Sequence, residues 1–295
     1  MKKRILCVGL LCVDVAVEMP DMSRANVSDL QYASHIEMNL GGDACNQALD
    51  LQFLGYEPEL AYLHGQGMLN DFVKNYLASL RIPAHSLGNL LQDDLTISIV
   101  QLQQNGERTF TSTKPEAGVL VLPATLDWHA FGVLSLGSIG FPPLDNSAFV
   151  HNLLSEAKRY GLVTVADTLL GDFSELSDYA DIWPLLDYFL PSEAEACALA
   201  SANDYEEAAR AFLQAGVSQV VIKRGENGCY YQYAGKSGHV PALVTETPVD
   251  TTGAGDGFVA GFITGIMQSE AVEAACRRGA EVAAQVIMQR GGHLS

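Results

Sequence analysis

The sequence predicts a single α/β domain, built on a doubly wound, mostly parallel β-sheet with helices on both faces and carrying a small β-sheet lid. Three observations predict it. Short β-branched or leucine-rich runs bounded by glycine alternate with stretches of helical period. Two other segments have strand patterns with no helix between them. With 295 residues, 48% apolar and 18% charged, the chain is long enough to bury such a core.

The core elements follow one another in a regular order. Apolar runs typical of buried strands are residues 4–9, 58–64, 132–137, 163–167, 188–191 and 219–223. Amphipathic stretches typical of helices are residues 44–54, 70–80, 147–160, 193–202 and 205–215. Because strands and helices alternate, the pattern indicates βαβ units and therefore a parallel sheet.

Two segments interrupt this order, at about residues 13–38 and 95–112. The second alternates and contains Gln104-Asn105-Gly106, which is typical of a hairpin turn. Together the segments predict a small antiparallel sheet that covers a substrate cleft as a lid. An extension of the central sheet at its edge would give the same pattern, so both interpretations stay open. No repeat or linker divides residues 1–295 into separate domains.

Composition narrows the range of partners and compartments. A net charge of −18 argues against nucleic acids and anionic membranes, since both require a positive field. The six cysteines form no CxxC pair, which favours a reducing cytoplasm. Residues 2–13 look like a secretory signal, but Asp14 interrupts the apolar run and no cleavage site follows. No apolar run reaches the roughly 18 residues that a membrane span needs.

The segment DTTGAGD, residues 250–256, precedes an apolar helical run at 259–267. Small residues before a helix expose backbone N–H groups that can hold a phosphate. Asp256 could take a proton from an attacking hydroxyl beside this anion hole. A simple helix cap stays the open alternative. Neither GxxxxGK[ST] nor a GxGxxG motif after a strand is present.

A second glycine-rich segment lies far upstream. It reads GGDACNQA at residues 41–48, and Gly55 and Gly65 follow at fixed spacing. Glycines let the backbone approach a ligand closely, and Asn46 offers both a donor and an acceptor. A helix cap with an ordinary turn is the alternative interpretation here.

The two segments resemble the two signatures of the ribokinase-like (PfkB) carbohydrate kinase family, over almost the whole chain. The resemblance implies a ribokinase-like fold and transfer of the ATP γ-phosphoryl group, with Mg²⁺, to a hydroxymethyl hydroxyl of a sugar. It implies Asp256 as the catalytic base and the amides of Gly253, Ala254 and Gly255 as the anion hole. Implied acceptor-binding residues are Asp14, Gly41, Gly42, Asp43 and Asn46.

For the nucleotide, the resemblance implies contacts from Ser192, Lys223, Gly225, Gly228 and Glu281. It also implies Mg²⁺ near Glu195, through water, and a monovalent cation such as K⁺ near Asp250 and Thr252. Ser192 and Glu281 stand where asparagine is usual in the family. Ser192 with Glu195 would equally form a capping box, and the turn after Lys223 a plain hairpin.

The acceptor is expected to be a small neutral sugar. Asp43 adds negative charge, and residues 167–172 lack the arginine of many relatives that handle sugar acids, although Arg108 or Lys114 could reverse this. A nucleoside kinase is the alternative within the family. A catalytically silent sugar-binding regulator is the alternative outside the enzyme class, which the intact Asp256 disfavours. The resemblance also implies a homodimer through the lid.

Overall fold

The computed structural model describes residues 4–18, 32–92, 94–102, 108–169, 175–243 and 247–295. The strands are β1 (Arg4–Val8), β2 (Cys12–Glu18), β3 (His35–Gly41), β4 (Pro58–His64), β5 (Ala84–Asn89), β6 (Thr96–Leu102), β7 (Arg108–Ser112), β8 (Phe131–Ile139), β9 (Val163–Thr168), β10 (Tyr188–Phe189), β11 (Gln219–Lys223), β12 (Cys229–Tyr233) and β13 (Lys236–Val240). The α-helices are α1 (Asp43–Phe53), α2 (Met68–Ser79), α3 (Ser147–Arg159), α4 (Glu193–Ala200), α5 (Tyr205–Ala215), α6 (Ala254–Met267) and α7 (Val272–Val286).

A nine-stranded sheet forms the centre, in the order β13-β12-β11-β10-β9-β8-β1-β4-β5. From β11 to β5 all neighbours run parallel, whereas β12 and β13 add an antiparallel hairpin at one edge. This confirms the predicted mostly parallel α/β sheet. Because the parallel strands share one direction, their carboxyl ends meet at a single edge, where such folds bind ligands.

The predicted core elements are all present, and the differences lie at the margins. The sequence pattern missed β5 and β13, because each is mostly accessible and offers little apolar signal. Helix α6 begins at Ala254, earlier than the predicted helical run, because glycine and alanine occupy its first turn.

The two strand-rich segments form a separate four-stranded sheet in the order β3-β2-β6-β7. An extension of the central sheet is therefore ruled out. The prediction that this lid sheet is antiparallel is wrong for its central pair, because β2 and β6 run parallel. The parallel pairing is possible because α1, β4, α2 and β5 lie between these strands in the chain. The predicted turn at residues 104–106 falls outside the described residues.

The two faces of the lid sheet differ in chemistry. Asp14, Ser98 and Ser112 are cross-strand neighbours on the face that lines the central cleft. The opposite face carries large apolar side chains that are exposed, namely Ile36, Met38, Ile97 and Ile99. In the ranges given above, no helix combines the length and apolar character that crossing a bilayer requires.

Candidate active site

A continuous cleft of about 1390 Å³ runs along the carboxyl edge of the central sheet and beneath the lid. Both glycine-rich segments open into it. The predicted site residues that line it are Asp14, Gly42, Asp43, Asn46, Ser192, Glu195, Lys223, Gly225, Gly228, Thr252, Gly253, Ala254, Gly255 and Asp256. Gly41, Asp250 and Glu281 do not line this cleft.

The turn before α6 presents backbone amides to the cleft. Gly253 adopts a left-handed conformation, with φ of 70°, and a Cβ there would overlap the carbonyl of Gly292. The helical hydrogen bonds begin with Gly257 N to Gly253 O at 2.8 Å. The N–H of Ala254 donates to Thr251 O at 3.4 Å, whereas the amides of Gly255 and Asp256 precede the ladder. The first turn of α6 thus has the geometry of an anion site.

Asp256 is held in the cleft by Asn46. The Asn46 Nδ2 donates to Asp256 Oδ2 at 2.7 Å, which joins the first turns of α1 and α6. Burial, and then the neighbouring Asp43, raise the pKa of Asp256 to about 8, although Asn46 and Lys223 act in the opposite direction. A carboxylate with a pKa near the working pH is well matched to general base catalysis.

Lys223, at the end of β11, lies beside this turn. Its Nζ forms a buried ion pair with Asp167 Oδ2, at the end of β9. Nζ is also 3.3 Å from where a Cβ on Gly255 would be, so the ammonium lies beside the first turn of α6. Burial lowers the pKa of Lys223, but the carboxylates of Asp167 and Glu195 together outweigh this effect, so that the pKa of Lys223 is raised. Burial raises the pKa of Asp167 to about 7, offset in part by Lys223.

The turn after Lys223 is a hairpin whose glycines also line the cleft. Strands β11 and β12 form the antiparallel hairpin of the alternative interpretation, closed by Arg224 N to Gly228 O at 2.7 Å. Gly225 and Gly228 also line the cleft. A Cβ on Gly228 would overlap the carbonyl of Val240, and its φ of 77° is left-handed, so glycine is required there.

The capping-box interpretation of Ser192 and Glu195 is confirmed. Ser192 N donates to Glu195 Oε2 at 2.8 Å, and Glu195 N donates to Ser192 Oγ at 3.3 Å. Both residues still line the cleft. Glu281 is exposed on α7, which instead turns Ala280, Ala283 and Ala284 toward the cleft. The structure therefore does not bring Glu281 to a nucleotide site.

The lid side of the cleft, where the acceptor is expected, includes Asp14 on β2. Burial raises the pKa of its carboxyl group, and the Cys12 thiol donates to Oδ1 at 3.3 Å. Gly41, which pairs with Cys12 from β3, leaves room for the Asp14 carboxylate, since a Cβ there would overlap it. Gly42 has a left-handed φ of 91°, and a Cβ there would collide with Leu10 O. The glycine pair thus lets the lid strand, the first loop and α1 meet.

Asp43 lines the cleft, and its carboxylate is also held by donors of the protein itself. Its carboxylate accepts from Leu10 N at 2.9 Å, from Ala44 N at 2.6 Å and from the Ser138 hydroxyl. A Cβ on Gly9 or on Gly137 would overlap it. Burial raises the pKa of the Asp43 carboxyl group, although its hydrogen bonds from Ser138, Leu10 N and Ala44 N act in the opposite direction. Asp43 thus ties α1 to the ends of β1 and β8.

Asp250 and Thr252 come together as expected, next to the turn. Asp250 Oδ1 accepts from Thr252 N at 2.9 Å and from Thr252 Oγ1 at 2.7 Å. A cavity of about 20 Å³ adjoins both residues and Asp14. In the part of the chain that the structure describes, no group of three or more Asp, Glu, His or Cys side chains could hold a metal ion.

Comparison with known proteins decides the family. The model of the pfkB family carbohydrate kinases matches residues 2–295. The chain belongs to this family. It is therefore an ATP-dependent carbohydrate kinase, and the resemblance drawn from the two glycine-rich segments is confirmed.

Individual relatives of this PfkB kinase are distant. It is 25% identical over 272 residues to 2-dehydro-3-deoxygluconokinase of Haemophilus influenzae, covering 85% of this chain and 87% of the relative. It is 23% identical to ribokinase of the same organism, and the match covers 100% of this chain and 95% of the relative. The crystal structure of ribokinase from Thermotoga maritima has a TM-score of 0.78 at 22% identity, covering 98% and 94%.

Sequence reasoning missed several residues of this PfkB cleft. Asp167 and Ser138 end strands β9 and β8, so their place at the carboxyl edge was the available signal. Leu63, Leu87, Leu90 and Phe110 add an apolar wall at the acceptor end, beyond Asp14. Nothing in their local sequence distinguishes them from ordinary core or edge residues.

Proposed function

We propose that this kinase phosphorylates a hydroxymethyl hydroxyl of a small neutral sugar, with Asp256 as the base. One observation carries the proposal: the base, the helix amides and an ammonium group meet in one part of the cleft. Asp256 is hydrogen-bonded to Asn46 at 2.7 Å, and the Lys223 ammonium abuts Gly255 in the same turn. Positioning and charge stabilisation are the main demands of phosphoryl transfer.

In the proposed reaction, Asp256 accepts the hydroxyl proton of the sugar. The freed oxygen forms a bond to the γ-phosphorus as the bond between this phosphorus and the β–γ bridging oxygen breaks, which releases ADP. The amides of Gly255 and Asp256, together with Lys223, stabilise the charge on the transferred group. Asn46 fixes the orientation of the Asp256 carboxylate.

Mg²⁺ bound with ATP would neutralise charge between the phosphates. The residues fit such an ion, because Mg²⁺ keeps several water ligands and Glu195 and Asp167 supply carboxylates at this end of the cleft. Asp250 and Thr252 supply oxygen atoms suited to K⁺ in the adjoining cavity of about 20 Å³. We include both ions in the proposal.

Charge at the acceptor end favours a neutral sugar. Asp14 and Asp256 face the acceptor, and an anionic sugar would be repelled by their carboxylates. Lys114, on the lid side of the cleft, is the cation that could offset this repulsion for a sugar acid. A nucleoside is the second candidate, because the wall of Leu63, Leu87, Leu90 and Phe110 suits a planar apolar substituent.

We also propose that two copies pair through the outer face of the lid. Ile36, Met38, Ile97 and Ile99 form an exposed apolar surface, and burying it against an identical surface would be favourable. A cytoplasmic location is proposed as well, supported by the fact that all six cysteines are free.

The test is ADP formation with a panel of neutral sugars, sugar acids and nucleosides, comparing the wild type with Asp256→Asn. We expect a neutral sugar to stimulate most and the variant to lose about 10²- to 10⁴-fold in kcat. If the variant retains wild-type turnover, the assigned base is wrong. If no acceptor stimulates the wild type, a sugar-binding regulator is favoured instead.

A further inference from the structure

The last residues of the chain fold back against the catalytic turn. We call residues 291–295 the C-terminal strap. Gly291 N donates to Asp250 Oδ2 at 3.4 Å, at the start of the turn. The Gly292 carbonyl occupies the space that a Cβ on Gly253 would need. The strap therefore limits where Gly253, and hence the first amides of α6, can lie.

The same strap packs on α1 next to Asn46. A Cβ on Gly292 would come within 2.9 Å of Asn46 Nδ2, the atom that donates to Asp256. Leu294 is buried in a small apolar cluster with Val282 and Val286 of α7. One short segment thus lies against Asn46 and against the turn that precedes Asp256.

Asp50 fastens this strap. It lies one helical turn after Asn46 on α1 and is completely buried, with 0% of its surface exposed. Its Oδ1 accepts from Leu294 N at 2.7 Å. Its Oδ2 has no hydrogen-bond partner among the described residues and lies 3.5 Å from where a Cβ on Gly257 would be.

A buried carboxyl group with one unpaired oxygen is costly, and an apolar residue would avoid that cost at this position. The mechanism does not use Asp50, because it does not line the cleft. The contribution of Asp50 is its hydrogen bond with Leu294 N, which fixes the position of the strap along α1. Since Asn46 is on the same helix, this register also sets the distance from Asn46 to the turn.

We propose that Asp50 is a positioning residue for phosphoryl transfer: by holding Leu294 it fixes the C-terminal strap, which in turn fixes Gly253 and Asn46 around Asp256. The inference rests on the proposed role of Asp256. It assigns to Asp50 an effect on the chemical step, with little effect on substrate binding, because neither substrate touches it.

The kinetic test compares Asp50→Leu, which removes the acceptor for Leu294 N–H, with Asp50→Asn, which keeps it. We expect kcat to fall about tenfold or more in Asp50→Leu, because small misplacements of reacting groups are costly, and Asp50→Asn to recover most of it. KM for the sugar and for ATP should change by less than about threefold in both. Assays are run well below the melting temperature and corrected for the folded fraction.

Leu51→Ala is the matched control. Leu51 is the next residue on α1 and is fully buried, but it packs in the main core and not against the strap. This variant should lower the melting temperature and leave kcat unchanged. If Asp50→Leu behaves like Leu51→Ala, or if Asp50→Asn loses as much kcat as Asp50→Leu, the positioning role is wrong.

Amide hydrogen exchange gives a readout that does not depend on activity. Leu294 and the amides of the turn should exchange faster in Asp50→Leu than in the wild type and in Leu51→Ala. Unchanged exchange at Leu294 would overturn the anchoring step. Failure of the proposed function would be seen separately, as no ADP formation by the wild type with any acceptor, and exchange would still decide whether Asp50 holds the strap.

Discussion

The charged centre of the cleft and the lid that faces it are supported differently. Asp167, Lys223 and Asp256 come from two core strands and a buried helix, and they interact with one another and with Asn46. The lid strands carry Asp14 on a sheet whose outer face no helix of the described chain covers. The difference indicates that the proposed groups for phosphoryl transfer are held in place before substrates bind. The proposed binding of the acceptor depends on the lid sheet, which has less support from the core.

The largest effect is expected from replacing Lys223, which should disrupt the charged centre of the cleft. Lys223→Met leaves the Asp167 carboxyl group buried without its counter-ion, which should lower the free energy of unfolding by about 3–5 kcal/mol. Adding Asp167→Leu should restore most of this stability without restoring activity, since the ammonium beside the anion site stays lost. Urea unfolding and ADP formation measure the two effects. If Lys223→Met is as stable as the wild type, the ion pair does not support the centre.

The pH dependence of the reaction should be set by the centre. The proposed base, Asp256, can act only when deprotonated, and its pKa is raised to about 8, so activity should be lost as pH falls through this value. Acceptor kcat/KM should rise about tenfold per pH unit well below the pKa, giving about fiftyfold between pH 6 and pH 8 because the group is half ionised at its pKa. If kcat/KM instead falls with a midpoint near pH 4, the raised pKa of Asp256 is wrong.

The same shift has a consequence for stability. A carboxyl group whose pKa is raised by folding favours the folded state while protonated, and this contribution is lost as pH rises from the unfolded value toward about 8. Asp256→Asn, which cannot ionise, should therefore melt at a higher temperature than the wild type above pH 8. Thermal melts across pH check this sign.

On the lid, Asp14→Ala should weaken acceptor binding while leaving the centre intact. Loss of charge-assisted hydrogen bonds to sugar hydroxyls costs about 1.5–3 kcal/mol each, so KM for the sugar should rise about 10- to 100-fold. KM for ATP should stay near the wild-type value, because Asp14 lies at the other end of the cleft. Initial rates with each substrate varied separately test this division, and an equal rise in both KM values would refute it.

The smallest kinetic effect is expected on the outer face of the lid. Ile99→Lys places a charge in the exposed apolar surface and should convert a dimer into monomers while kcat stays within about twofold of the wild type. Val119→Lys, which changes an exposed valine outside the lid sheet, is the control. Sedimentation velocity measures both. A wild-type protein that is monomeric at all concentrations would contradict the proposed pairing.

The sequence predicted the parts of the site that are coded locally. The spacing of glycines and acids in residues 41–48 and 250–256 identifies turns before helices, and Asn46 and Asp256 do meet. Asp43 could not be interpreted in this way, because its three donors come from the first loop, from α1 and from Ser138. Its local pattern predicted a residue that binds the acceptor. Its tertiary contacts show that it also connects α1 to the ends of β1 and β8.

The remaining parts of the site could not be predicted because they depend on contacts between residues that are distant in the sequence. Asp50 is separated from Leu294 by 244 residues, and Lys223 from Asp167 by 56 residues that include β10, α4 and α5. Glu281 was assigned by its resemblance to a family position, but the rotation of α7 turns alanines to the cleft and leaves the glutamate exposed. Periodicity gives the elements, but it does not give the rotation of a helix about its axis or the pairing of distant residues.

The parallel pairing of β2 with β6 has a consequence for the order of folding. Cys12 pairs with Thr96, so the chain between them must close a long loop before the lid can form. Local hairpins cannot nucleate this pair, and contacts so distant in sequence form late. We therefore expect the lid to assemble on a core that is already compact, and a folding intermediate would bind ATP before it can bind sugar.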